Sequence, residues 1–321
     1  MKRIGLNHLP DPDIGLAAQV GGDWSTKLSR ILNTNTKNLG GTFVHERYKA
    51  IGLIDSGVGG LTVLKEFNRL LPGENIVYFG DTEHMPYGPR SKEEIRSYVT
   101  DIIRFLYATQ DIKMIVIACN TATVAGLEHF QRLSPVPVVG VVEPGALGAL
   151  SQSQSKRIGV VATEGTIKSG AYESIITQAD SDAQVFSVAS PLFAIIVENG
   201  LYNNPEIRCL AAEYLSPIQD KGIDTLILGC THYPLLSGII EAVVGPGVDL
   251  VDPATFTAQH AQGLLESQDL INDNPQGWKR FFVSRDPKQF SQTGAYLLGH
   301  PIEPYLVTLE GPVHGNAQLD T

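Results

Sequence analysis

Met114-Ile115-Val116-Ile117-Ala118-Cys119-Asn120-Thr121-Ala122-Thr123 is a short apolar run that ends abruptly in a cysteine and small hydroxyl residues. The pattern returns far along the chain as Thr225-Leu226-Ile227-Leu228-Gly229-Cys230-Thr231-His232-Tyr233-Pro234. Both runs are short and rich in β-branched residues or leucine, as strands buried in a parallel sheet are. Both turn at once into residues suited to a helix start, Asn120 and Thr121 in one, Thr231 and Pro234 in the other. Each cysteine is therefore expected at the carboxyl end of a strand, beside a helix N-terminus. Open α/β sheets bind ligands along that edge, and the helix dipole there favours a thiolate.

Working outward, the segment before the first cysteine strand opens with a strand over 51–55, the loop Ser56-Gly57-Val58-Gly59-Gly60 and a helix over 61–71. Strand, glycine loop and helix make a cradle of backbone N–H groups for an anion. Thr62 stands where a dinucleotide fingerprint needs glycine, and the phosphate-loop lysine is missing, so the expected guest is a small carboxylate. A strand over 76–79, the loop through Pro86-Tyr87-Gly88 and a helix over 91–109 lead into Met114. After the first cysteine come a helix to 133, a strand over 137–142, Glu143-Pro144-Gly145 and a polar linker over 151–155. A second series follows: strand 157–162, a helix after Gly165, strand 185–188, helix 205–220, the second cysteine strand and a helix from Pro234. The strand over 248–251, with Asp252-Pro253, is where the chain is expected to return to the first unit. A helix over 254–267 and a strand–helix pair over 280–298 close the series.

Strands alternating with helices imply α/β architecture with parallel sheets. The shared strand-Cys-Thr theme predicts two similar α/β domains facing each other across a central cleft. The expected division is 50–150 plus 252–300 for the first domain and 151–251 for the second, with a C-terminal tail over 301–321. Residues 1–49 show no sustained period and two Gly-Gly pairs, so they read as a loosely ordered or regulatory extension with one short helix over 24–32.

The 321 residues are 43% apolar and 18% charged, which fits a globular chain that buries a full core. A formal charge of −10 argues against nucleic acid or an anionic membrane as the main partner. Three cysteines far apart make no disulfide framework and no zinc pattern. No run approaches a membrane span and no signal peptide opens the chain, so a reducing cytoplasm is expected.

A thiol has a pKa near ~8.5 and both takes and gives protons near neutrality. Two thiols on opposite faces of one carbon remove a proton from one side and deliver one from the other, inverting a stereocentre without a cofactor or metal. His232, two residues beyond Cys230, points to the same side in an extended chain and is placed to assist it; helix capping is its alternative role. Asp55 either assists a thiol or caps the glycine loop. Asn120, Thr121 and Thr231 supply neutral donors and acceptors for a carboxylate and an ammonium. Ser56, Tyr87, Gly88 and Thr163 each read equally well as ligand contacts or as turn residues. Cys209, alone in a helix, reads as a small hydrophobe.

With these residues assembled, the chain resembles the glutamate racemases, cofactor-independent enzymes of the aspartate/glutamate racemase superfamily. The resemblance rests on Asp55-Ser56-Gly57-Val58-Gly59-Gly60-Leu61, Pro86-Tyr87-Gly88, Ala118 to Thr123 and Gly229 to Leu236, supported by Gly80-Asp81-Thr82, Ala162 to Lys168 and Val197-Glu198-Asn199-Gly200. It runs from about 51 to 298. It implies interconversion of L- and D-glutamate, supplying D-glutamate for bacterial peptidoglycan. By that likeness Cys119 acts on the D-enantiomer with Asp55, and Cys230 on the L-enantiomer with His232. Substrate contacts fall on Ser56, Tyr87, Gly88, Asn120, Thr121, Thr231 and Thr163. Family members are usually homodimers, some respond to a cell-wall precursor as activator, and some bind DNA gyrase. The extension before Ile51 and the loop Glu83-His84-Met85 depart from the family pattern. Three competing readings remain: a relative acting on aspartate or a hydantoin, a hydrolase using Cys230 with His232, and a binding module.

Overall fold

The computed structural model describes residues 45–201 and 206–309. The short helix expected over 24–32 lies outside the described residues. The chain runs β1 (Ala50–Asp55), α1 (Leu61–Leu70), β2 (Ile76–Gly80), α2 (Lys92–Thr109), β3 (Ile112–Ile117), α3 (Asn120–Leu133), β4 (Val138–Gly140) and α4 (Val142–Gln152). Next come β5 (Arg157–Ala162), α5 (Glu164–Ser169), α6 (Ala171–Ala179), β6 (Gln184–Ala189), α7 (Pro191–Glu198), α8 (Glu206–Gln219) and β7 (Thr225–Gly229). A 3-10 turn (Tyr233–Leu236), α9 (Ser237–Val244), β8 (Asp249–Val251), α10 (Pro253–Ser267), β9 (Lys279–Val283), α11 (Pro287–Leu298) and β10 (Pro304–Leu306) complete it.

Two all-parallel sheets result, ordered β10-β9-β2-β1-β3-β4 and β6-β5-β7-β8. In the first, the chain leaves central β1 toward β2 and returns on its other side as β3. In the second it leaves β5 toward β6 and returns as β7. Each sheet thus reverses its winding once next to its first strand, and a crevice opens there at the carboxyl ends. Cys119 follows β3 and Cys230 follows β7, so each cysteine stands at the switch point of its own sheet.

Alternation along the strands builds the core. Ile51 and Leu53 of β1, Met114 and Val116 of β3, Ile158 and Val160 of β5 and Ile227 of β7 belong to one apolar cluster that spans both sheets, with Ala146, Ala149, Ala254 and Ala258 of α4 and α10. The opposite faces pack outward: Ile54, Ile115 and Ile117 with Val99 and Ile103 of α2, and Leu226 and Leu228 with Phe193 of α7 and Leu215 of α8. Strands covered on both faces explain why the two cysteine runs read as continuous apolar stretches. Ser91 caps α2 reciprocally with Glu94, fixing that helix where the sequence places it.

Several expectations are corrected. The stretch Glu143-Pro144-Gly145 is the first turn of α4, where proline loses no hydrogen bond, and α4 takes in Ser151 and Gln152 of the expected linker. Helix α7 was not anticipated, because its apolar run over 192–197 has no polar face to mark a period. The return to the first sheet comes after β8, which pairs with β7. The segment after Pro234 begins as a 3-10 turn and becomes α-helical only at Ser237. The expected tail supplies β10, whose Tyr305 sits opposite Phe282 of β9. At the other end, Arg47 pairs with Asp269 and Asp273, and the buried Lys113–Glu74 pair also holds the Arg47 carbonyl, so the last residues before β1 are tied to the core.

Candidate active site

Cys119 caps α3 in extended conformation, and its S–H points to Ser56 Oγ at 3.8 Å. Burial pushes this thiol far above its ordinary range, and the charges of Asp55 and Cys230 add to the rise. The Ala122 N–H and the Ser56 hydroxyl pull it back only in part. The helix N-terminus therefore acts in the expected direction but loses to desolvation, and Cys119 holds its proton.

The Cys230 corner is built differently. His232 Nδ1 lies 3.5 Å from Cys230 Sγ, and His232 Nε2 lies 2.6 Å from Glu198 Oε1. Burial opposes charge on this imidazole, yet the bonds to Cys230 and Glu198 raise its pKa well above the ordinary value. An imidazolium bridging a sulfur and a carboxylate is the result. Glu198 Oε1 also accepts from Val58 N–H at 2.9 Å, tying the glycine loop of one half to the histidine of the other. Gly59 permits the approach: a Cβ there would stand 2.5 Å from Thr231 Oγ1 and 2.6 Å from the His232 ring.

Asp55 is fully buried. It accepts from Gly57 N–H at 3.0 Å and from Thr231 Oγ1 at 3.2 Å, so it caps the loop and reaches the second half at once. Burial raises its pKa, against the charge of His232 and the N–H groups of Gly57 and Gly60. The cradle expected for an outside carboxylate is occupied here by the protein's own carboxylates: Gly57 N–H serves Asp55 and Val58 N–H serves Glu198.

The remaining predicted residues gather around these corners. Thr121 Oγ1 meets Thr163 Oγ1 at 2.8 Å and Thr166 Oγ1 at 3.4 Å across the two halves. A Cβ added at Gly88 would stand 3.3 Å from Thr163 Cβ, so the glycine sits close against that residue. Thr62 Oγ1 donates to the Thr231 carbonyl at 3.2 Å. Asn120 Oδ1 accepts from Tyr172 at 2.7 Å, and Asn120, Cys230, Thr231 and Asp252 line one narrow space. Tyr87 is buried with its hydroxyl committed to Asp81 at 2.6 Å. A recess of about 490 Å³ between the end of α7 and α11 is lined by Glu198 and reaches neither cysteine.

Sequence reasoning gave no role to Glu198, Asp81 or Tyr172. Glu198 carried a signal: one acid ends an apolar run at a helix C-terminus, where the dipole disfavours it. Asp81 is buried beside Tyr87, Ser284 and His84, and nothing local announces that network. It also draws in His84 of the loop after β2, which stacks on Tyr98. Among the described residues no group of three or more His, Cys, Asp or Glu is placed to hold a metal ion, and no helix is long and apolar enough to cross a membrane.

The family model for Asp/Glu/Hydantoin racemase matches residues 51–261. A glutamate racemase of Geobacter metallireducens is 44% identical over 265 residues, 82% of this chain and 98% of the relative. The solved structure of a glutamate racemase isoform from Bacillus anthracis matches at TM-score 0.80 and 39% identity, covering 83% of this chain and all of that one. That of Escherichia coli glutamate racemase, in complex with L-glutamate and the activator UDP-MurNAc-Ala, matches at TM-score 0.69 and 28% identity, over 82% and 99% of the two chains. The chain belongs to the Asp/Glu/Hydantoin racemase family and, within it, to the glutamate racemases, which are isomerases.

Proposed function

We propose that the chain interconverts L- and D-glutamate by moving protons between two thiols and the α-carbon, with Cys230 on the face of the L-enantiomer and Cys119 on that of the D-enantiomer. The observation that carries this reading is the direct contact of the two corners: Thr231, beside Cys230, donates to Asp55 at 3.2 Å, and Glu198, which holds His232, accepts from Val58 N–H of the glycine loop at 2.9 Å. In the L to D direction Cys230 sulfur takes the α-proton while Cys119 S–H gives its own to the opposite face, so the two thiols exchange protonation states in one turnover. His232, held by Glu198, keeps a proton against the Cys230 sulfur; Asp55 is the acceptor that relieves Cys119 of its proton in the reverse direction. Ser56, Tyr87, Gly88, Asn120, Thr121, Thr163 and Thr231 form the proposed substrate shell. Tyr87 serves it through ring and backbone, since its hydroxyl bonds Asp81. The first domain comprises 50–150 with 252–300, extended by β10, and the second 151–251.

The same reading assigns D-glutamate supply for peptidoglycan, a cytoplasmic setting and a homodimer to this chain. The activator complex of the Escherichia coli relative supports a cell-wall precursor as effector here. The test is incubation with each enantiomer of glutamate in heavy water, following optical rotation and α-deuterium together. Decay of rotation with deuterium appearing in the newly formed enantiomer is expected from both sides. Inert glutamate with racemised aspartate would overturn the substrate assignment.

A further inference from the structure

We propose that Tyr172 is a positioning residue for substrate binding: its hydroxyl, carried by the second half, fixes the Asn120 amide so that the NH2 group faces glutamate. This rests on the reading above, in which Asn120 belongs to the substrate shell. Asn120 is the first residue of α3, and Tyr172 lies in the first turn of α6; both are 3% exposed. The Tyr172 O–H donates to Asn120 Oδ1 at 2.7 Å.

The direction of that bond matters because an amide has two unlike ends, an acceptor oxygen and a donor nitrogen. Burial and the negative charges of Asp252 and Cys230 hold the Tyr172 hydroxyl protonated far beyond its ordinary range, so it remains a donor. The oxygen of Asn120 must then face Tyr172, and the nitrogen must face away. The Asn120 nitrogen is not among the buried polar atoms left without a hydrogen bond, and no described residue is bonded to it. With the oxygen held by Tyr172, the nitrogen lies on the opposite side of the amide. In the proposed substrate shell a donor nitrogen suits the glutamate carboxylate; a flipped amide would present an acceptor and repel it. The two side chains come from opposite halves, so the orientation is set only when the halves are apposed.

A hydrogen bond from Asn120 to a carboxylate that is unchanged by the reaction contributes equally to ground and transition states, and such a loss appears in KM and not in kcat. Tyr172→Phe removes one oxygen and keeps the ring in the core. KM for both enantiomers is expected to rise roughly 10-fold, the factor that about 1.4 kcal/mol represents, with kcat nearly constant. A structural role alone would lower thermal stability and leave KM unchanged. Asn120→Ala separates the two layers of the argument. Unchanged KM in Asn120→Ala defeats the assignment of Asn120 to the substrate shell, whereas a raised KM there with a normal KM in Tyr172→Phe defeats the role of Tyr172 alone. The double variant is expected to be no worse than Asn120→Ala, and additive losses overturn the coupling. Should Tyr172→Phe not fold, Asn120→Asp answers the same question with Tyr172 intact. Its cleft-facing atom becomes an acceptor and KM rises; an unchanged or lower KM shows that the oxygen already faced the cleft and ends the proposal.

Discussion

At the Cys119 corner the cysteine stands at the N-cap position of a 14-residue kinked helix, and its sulfur has a hydroxyl and a buried carboxyl for neighbours. At the Cys230 corner it precedes a four-residue 3-10 turn and touches an imidazole backed by a second carboxylate. The strand, the switch point and the sulfur are alike in both. The charge around the sulfur differs: negative groups and burial keep the proton on Cys119, whereas a cation stands against Cys230. A symmetric frame with asymmetric electrostatics suits a reaction in which one group must begin as acceptor and the other as donor. Two identical corners would both start in the same protonation state and would work against each other.

The largest effect is expected from removing either sulfur. Cys119→Ser and Cys230→Ser should each fold and each lose racemisation by roughly 10²-fold or more, the usual effect of deleting a general acid or base. The enantiomers have equal free energy, so kcat/KM must fall by the same factor in both directions. Near-normal rates in either variant would break the comparison, because one corner would then suffice.

A smaller effect sharpens it. Glu198→Gln keeps the hydrogen bond to His232 but removes one of the charges that raise its pKa against the opposing effect of burial. The imidazole then gives up its proton at lower pH. The stability that this group contributes is present below its unfolded value near ~6.5 and is lost as pH rises through the folded value. The alkaline limb of the kcat/KM profile should therefore move to lower pH in Glu198→Gln. An unmoved limb would mean that Glu198 does not govern the Cys230 corner.

The smallest effect concerns Asp252, which lines the same space and caps α10 through the Ala254 N–H at 2.9 Å. Burial pushes its pKa from 3.8 up to about 6. The native state thus binds this proton more tightly than the unfolded chain, and the ionised group costs stability above pH 6, a cost that shrinks as pH falls toward 3.8. Asp252→Asn keeps a cap and should stabilise the protein by roughly 1–3 kcal/mol at pH 8 but little at pH 4. Thermal melts at the two pH values check it; a fall in activity would add a third carboxyl group to the corner and blur the contrast.

Much of this architecture was legible from local pattern. The strands ending at Asp55, at Ile117 and at Gly229 announce themselves by apolar runs cut off by small polar residues, and Ser91 with Glu94 marks the start of α2. Helices α4 and α7 were not legible: both are apolar on nearly every face, so no period separates an inner side from an outer one. Strand β10 escaped because three residues at a sheet edge carry too short a pattern to register.

The sequence by itself determined the α/β alternation and the two matched cysteines at strand ends, because each is written in spacings of a few residues. Only the tertiary structure decided that Glu198 holds His232, that Tyr172 turns Asn120, that the glycine loop's N–H groups serve the protein's own carboxylates, and that the Cys119 thiol keeps its proton. Those outcomes depend on which distant groups share a buried volume and how much water is excluded from it. Burial and long-range pairing are properties of the packed molecule, and no short stretch of chain encodes them.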